Sequence, residues 1–149
     1  MAVPGLHFEQ VQPAGGDAVL RDWQYIHNLI IPASPLSAGE IGERAQRNHL
    51  EVAYLDAVAV GCSTVRPPAG GAAVVIARVL PQHRRQGLGE QIYLRALAKA
   101  RELGTRVIET VVLAANEDGL RFACHHGFAE TDRYVLPGDT IPYIDLRLA

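Results

Sequence analysis

Ala77-Arg78-Val79-Leu80-Pro81-Gln82-His83-Arg84-Arg85-Gln86-Gly87-Leu88-Gly89-Glu90 joins two segments of opposite periodicity. Upstream, Ala73 to Leu80 is a valine-rich run stopped by Pro81, which predicts a central strand that proline prevents from continuing. Downstream, Leu88, Gly89, Ile92, Tyr93, Ala96, Leu97, Ala100 and Leu103 fall at three- and four-residue spacings, which predicts an amphipathic helix with Gly104 as its left-handed C-terminal cap. A loop between such elements turns successive backbone N–H groups outward at a helix N-terminus, and its glycines let an anion approach the main chain. Residues Arg84 to Glu90 therefore read as a phosphate cradle. There is no G-x-x-x-x-G-K-[ST], so a Walker-type nucleotide loop is excluded, and the mid-chain position is wrong for a dinucleotide fingerprint.

Working outward, Leu6 to Val11 is a strand candidate. The Pro13 to Gly16 break then leads to Asp17, an N-cap for a helix over Ala18 to Ile30. Pro32 and Pro35 end that helix, and Ser37 with Glu40 forms a capping-box signature for a second one reaching about Asn48. His49 to Leu55 and Val58 to Arg66 read as an antiparallel hairpin turning at Asp56-Ala57, followed by a flexible loop at Pro67 to Gly71. After the long helix, Arg106 to Leu113 returns as a buried strand and Asn116 to His126 as a short helix. Phe128 to Leu136 and Ile141 to Leu148 then close a hairpin around Pro137-Gly138-Asp139. The expected architecture is α+β with a mixed central sheet flanked by helices, in one domain over residues 1–149.

Composition narrows the function classes. With 149 residues, 48% hydrophobic and 20% charged, the chain has the make-up of a globular protein with its own core. A net charge of −2 offers no positive field for a phosphate backbone, so nucleic acid is not an expected partner. The apolar runs Val74 to Leu80 and Val107 to Ala115 are too short to span a bilayer and carry Arg78 and Glu109, and Met1 to Gln10 lacks the pattern of a secretory signal. A cytoplasmic protein without a membrane partner is expected. Cys62 and Cys124 lack metal-ligand spacing and read as reduced, buried hydrophobes, with no metal expected.

The central segment resembles the acetyl-CoA-binding motif of the GNAT superfamily of N-acetyltransferases, Q/R-x-x-G-x-G/A, as Arg84-x-x-Gly87-x-Gly89 after Val79-x-Pro81. Asn116-x-x-Gly119-x-x-Phe122 and then Gly127-Phe128 are similar to the superfamily's second signature, one helix and one strand further on. The resemblance implies a GNAT-like sheet whose central strands splay apart, with the pantetheine arm of coenzyme A between them. It implies that the main chain of Ala77, Arg78 and Val79 pairs with pantetheine amides. Arg84, Arg85, Gln86, Gly87, Leu88, Gly89 and Glu90 would hold the pyrophosphate, and Asn116 would line the channel. The cosubstrate implied is acetyl-CoA and the partner an amine acceptor of unidentified class; the sequence leaves a homodimer open.

Two positions depart from the family pattern. Many members carry a tyrosine seven residues after the asparagine, where this chain has Ala123, and some carry a glutamate five residues before it, where this chain has Val111. Glu109 lies about 7 Å from Val111 on the same strand face and is the candidate base, acting through water. Cys124 neighbours the vacant tyrosine position but points about 100° away. His125 and His126 fit a helix C-terminus as dipole-favoured cations. Trp23, Tyr25 and His27 lie near the helix connection that shapes acceptor sites in such folds, and Tyr134 and Tyr143 belong to the closing hairpin. Three functions stand open from sequence, the first two being an acetyl-CoA-dependent N-acetyltransferase working by direct amine attack and a non-catalytic acyl-CoA-binding sensor or regulatory module. A catalytically silent half of a larger acetyltransferase assembly is the third.

Overall fold

A computed structural model describes residues 3–12 and 17–148. The order of elements is β1 (Leu6–Gln10), α1 (Asp17–Ile30), α2 (Ala38–Arg47), β2 (His49–Leu55), β3 (Val58–Ala69) and β4 (Ala72–Val79). A single 3-10 turn (Pro81–His83) leads into α3 (Leu88–Glu102), β5 (Val107–Leu113), α4 (Glu117–His125), β6 (Phe128–Tyr134) and β7 (Tyr143–Leu148). The seven strands form one mixed sheet in the order β1-β2-β3-β4-β5-β7-β6. The α+β class and the mixed sheet are as expected. The Pro13 to Gly16 break and the Asp17 side chain lie outside the described residues.

Local chemistry explains most of the boundaries. At α2 the Ser37 hydroxyl accepts from Glu40 N, and the Glu40 carboxylate accepts from Ser37 N at 2.9 Å, closing the capping box. The segment Pro67 to Gly71 is not the loop expected. Strand β3 runs on to Ala69, and only Gly70 and Gly71 turn, with φ of +63° and +88°, the pair of positive angles a two-residue hairpin demands. The prolines are accommodated at a register irregularity between Arg66 and Ala69. The last hairpin is shorter than expected at both inner ends, stopping at Tyr134 and resuming at Tyr143.

Helices cover both faces of the sheet. On one, α3 and α4 pack through Tyr93, Ala96, Ala100 and Ala123 onto Val65, Val75, Ile108 and Leu146. On the other, Trp23 and Ile26 of α1 and Ile41 of α2 pack onto Leu50, Val52 and Cys62. Gly61 permits the close seating of α3: a Cβ there would lie 2.4 Å from the Arg78 carbonyl and 2.7 Å from Ile92 Cδ1. No helix among the described residues is long and apolar enough to cross a membrane.

Candidate active site

Strands β4 and β5 are parallel, and they pair only at Ala72↔Val107, Ala73↔Ile108 and Val74↔Glu109. Beyond Val74 they diverge: β4 stays on β3 as far as Val79, while β5 follows β7 from Glu109 to Leu113. The sheet is therefore split. Leu80 N donates to Val60 O of β3 at 2.9 Å. By the alternation of a strand, the amides and carbonyls of Val79 and Ala77 then turn the other way, into the gap. A buried backbone group needs a partner, so this interior edge suits an amide-bearing ligand laid along β4.

The gap opens into a cleft of about 510 Å³, a size usual for small-molecule sites. Ala77, Arg78, Val79, Arg84, Arg85, Gly87, Gly89, Glu90 and Asn116 all line it, so the structure gathers nearly every residue of the two motifs on one surface. Two do not join them. Leu88 turns inward, 1% exposed, against Ala53, Val60 and Ile92, because the first apolar position of an amphipathic helix faces its core. Gln86 is exposed outside the lining.

At the wide end, Arg85 and Gly87 have φ of +67° and +78° immediately before α3. Such left-handed residues in a turn before a helix aim successive N–H groups at a common point, the concavity that holds anions. A Cβ at Gly87 would meet nothing within 4 Å, so space is open on that side of the loop. Arg84 is tethered at the rim, donating from Nε to Val79 O at 3.1 Å with Asp118 of α4 3.8 Å away. Asn116 caps α4, its Oδ1 accepting from Gly119 N at 3.0 Å. Gly119 leaves room for this cap, since a Cβ there would lie 2.6 Å from Asn116 Nδ2.

The remaining candidates separate clearly. Ala123 and Val111, at the family's tyrosine and glutamate positions, both line the cleft. Glu109 does not: it sits at the closed end of the split, where Arg147 of β7 holds its carboxylate at 2.7 Å. Cys62 is buried as expected, but Cys124 is exposed, because α4 turns its neighbour Ala123 to the core instead. His126 corrects the cation expected at the helix end. Its ring packs on Phe122 and Tyr93 with centroids 4.4 and 4.7 Å away, and burial lowers its pKa. Trp23 and His27 are buried and stacked on each other, Tyr25 is exposed, and none of the three reaches the cleft. The α1 end contributes Ile30 and Ile31 instead. Tyr143 lines the cleft with its hydroxyl 3.1 Å from Ser34 Oγ. The Arg78 side chain and Tyr143 are the polar groups of the lining, among others the sequence left unread, that matter most on the α1 face. Strand alternation puts Arg78 on the α1 face opposite Val79, whereas nothing local in sequence aims Tyr143. Among the described residues, no group of three or more His, Cys, Asp or Glu is arranged to hold a metal.

Residues 18–128, which contain the split strands, the loop and the capped α4, match the family model described as Acetyltransferase (GNAT) family. The chain belongs to the GNAT acetyltransferase family. Its fold is shared with solved GNAT structures at low identity. A structure described as the candidate acetyltransferase yncA of Salmonella typhimurium, solved with its cofactor acetyl-CoA, is 18% identical with a TM-score of 0.72, over 97% of this chain and 93% of that one. A structure described as a candidate phosphinothricin N-acetyltransferase is 20% identical with a TM-score of 0.77, over 96% and 97%. A GNAT family acetyltransferase from Elizabethkingia anophelis with acetyl-CoA bound is 14% identical with a TM-score of 0.69, over 98% and 99%. No curated protein matches the sequence. The GNAT fold thus accounts for the split sheet, the loop before α3 and the helix that Asn116 opens.

Proposed function

We propose that the chain is an acetyl-CoA-dependent N-acetyltransferase that acts by direct attack of an amine on the thioester. The observation that carries this reading is the split between β4 and β5, with the left-handed loop at one end and, along one edge, main chain of β4 that β5 leaves unpaired beyond Val74. In it, the amides near Arg85 to Gly89 hold the pyrophosphate at the α3 N-terminus, with charge from Arg84 and Arg85. Ala77 and Val79 pair with the pantetheine arm, and Asn116 and Gly119 flank it. Phosphate at a helix N-terminus is favoured both by free N–H donors and by the dipole.

The amine nitrogen attacks the thioester carbonyl carbon, the tetrahedral intermediate collapses with cleavage of the C–S bond, and the products are an amide and CoA. The nitrogen gives up one proton and the departing thiolate takes one. Backbone N–H groups of β4 polarise the carbonyl, and positioning supplies much of the acceleration. With alanine at 123 and valine at 111, neither proton is assigned a dedicated side chain, and Glu109 is occupied by Arg147. The amine therefore enters as the free base, and transfer rises with pH until that form dominates.

The test is thiol release from acetyl-CoA across chemically diverse amines, with calorimetric titration of CoA alongside. Release that needs both protein and amine supports the reading. Tight CoA binding without transfer to any amine supports instead a non-catalytic acyl-CoA-binding module, the reading favoured by the apolar residues at 111 and 123. A soluble protein is the expectation for either, and association with a second copy is read by light scattering.

A further inference from the structure

We propose that the acceptor is an amino acid, whose carboxylate is received by Arg78 on the α1 side of the cleft. This rests on the acetyl-transfer reading above. The register of β3 and β4 places Arg78 directly across from Cys62, on the face of the sheet covered by α1 and α2. The side-chain partner that the fold provides for its guanidinium is the Cys62 thiol, which is fully buried and pushed up to about 11 by that burial, so it brings no negative charge. Among the described residues no carboxylate lies within ion-pair distance of Arg78. Arg47, Arg84, Arg95, Arg121, Arg133 and Arg147 each face one, and what sets Arg78 apart from the other arginines without an ion pair is its burial at the cleft.

The surroundings make this cation costly without a ligand. Burial lowers the pKa of Arg78, and the nearby charge of Arg66 adds to the lowering. Arg44 and Arg47 stand behind Arg66. A guanidinium does not shed its proton in a protein, so such a group keeps its charge and calls for an anion. The two acids of β5 and β7 on this face are already engaged: Asp145 accepts from the Tyr134 hydroxyl at 3.1 Å, and Glu109 is held by Arg147. His27 is kept neutral by burial, to about 4. Facing Arg78 across the cleft is Tyr143, fixed by Ser34 and stacked on Tyr134, with a hydroxyl suited to the same oxyanion. Planar, bidentate donation to a carboxylate is what arginine does better than any other side chain. An α-amino acid seated there carries its amine within two bonds of the bound carboxylate, at the cleft rather than out in solvent.

The experiment compares L-methionine with L-methioninamide and 3-(methylthio)propylamine, and L-leucine with L-leucinamide and isoamylamine. The readout is kcat/KM for CoA release, corrected for the free-amine fraction of each. We expect each acid to exceed its amide and its decarboxylated amine by about 10- to 100-fold, the size of a lost charge-assisted bond. Arg78→Gln should bring that ratio to near one, and Arg78→Lys should retain part of it, both in protein shown by circular dichroism to be folded. Amides that match the acids in the wild type, or an unchanged ratio in folded Arg78→Gln, overturns the proposal. If no amine is acetylated, the transfer reading fails by itself and binding decides the pocket. N-acetyl-L-methionine should then bind the CoA-loaded protein at least tenfold more tightly than N-acetyl-L-methioninamide, an advantage that Arg78→Gln abolishes; equal binding of the two overturns it.

Discussion

Asn116 and Gly119 form a pair whose energetics follow from one contact. The Asn116 side chain satisfies Gly119 N, one of the amides at the start of α4 that has no partner within the helix. Replacing it by alanine removes the cap, worth about 1 kcal/mol. A 149-residue chain unfolds with an entropy of roughly 0.3 kcal/mol/K at its midpoint, so Asn116→Ala should lower Tm by about 3 °C. Gly119→Ala acts through the same atoms. In a helix, alanine is favoured over glycine by about 1 kcal/mol. Here, however, the added Cβ would stand 2.6 Å from Asn116 Nδ2 and 3.1 Å from Val112 Cγ1, so the cap must move aside and the gain is cancelled or reversed. Once Asn116 is alanine, most of that conflict is gone, and Gly119→Ala should cost less or become stabilising. The double-mutant cycle should therefore show a coupling of about 0.5–1 kcal/mol in thermal or urea unfolding. Additive effects within about 0.3 kcal/mol would refute the reasoning, because they would mean that the cap and the glycine act independently.

Gly87→Asp should weaken CoA binding steeply in calorimetry, since a carboxylate would occupy the open side of the loop at a φ of +78°; equal affinity in folded protein would make the loop structural only. Glu109→Gln should leave CoA release nearly unchanged, given the contact with Arg147, and loss of turnover without loss of CoA affinity would identify Glu109 as the base after all. Ala123→Tyr, which restores the family's hydroxyl at a cleft-lining position, should raise the transfer rate if protonation of the leaving thiolate is limiting; a folded variant no faster than the wild type would put that step elsewhere. Stability should also fall as the pH drops from about 6.5 towards 4. His27 titrates in the native state only near 4, while the unfolded chain takes up the proton near 6.5, so the effect is complete above that range and amounts to about 3 kcal/mol. His126, lowered as well, adds in the same direction, and Glu51, held near 2 by His49 and Arg95 against the cost of its burial, acts only below about 4.5. His27→Phe should flatten the upper part of that pH profile in urea melts.

What the sequence made legible follows the range of the interactions involved. The turn before α3, the capping box at Ser37, the Asn116 helix start and the end of β4 just before Pro81 are all decided within a few residues, and the structure has each where the sequence puts it. Pro67 and Pro68 were misread because an extended conformation at a register irregularity depends on a partner strand, and the Gly70-Gly71 pair is the true turn. Glu109 and Tyr143 belong to the second kind. The ion pair of Glu109 with Arg147 spans 38 residues, and the hydroxyl contact of Tyr143 with Ser34 spans 109. Spacing within one segment carries no trace of either. Arg78 lies between the two cases: its face could be counted from the strand, but the lack of a counter-ion emerges only when the neighbouring strands are in place.

The position of β7 between β5 and β6 has a consequence for assembly. Each neighbouring strand pair from β1 to β2, β2 to β3 and β3 to β4 is antiparallel, and β2, β3 and β4 follow one another along the chain, so this wall of the cleft can zip up hairpin by hairpin. The opposite wall cannot. Strand β6 leaves the ribosome with no sheet neighbour, and β5 holds only three paired positions on β4 until β7 slots between β5 and β6. Non-local pairings of this kind form slowly. A nascent or transiently opened molecule thus exposes the flank of β5 that Arg147, Asp145 and Tyr143 will cover, and it is there that self-association in the cell would begin.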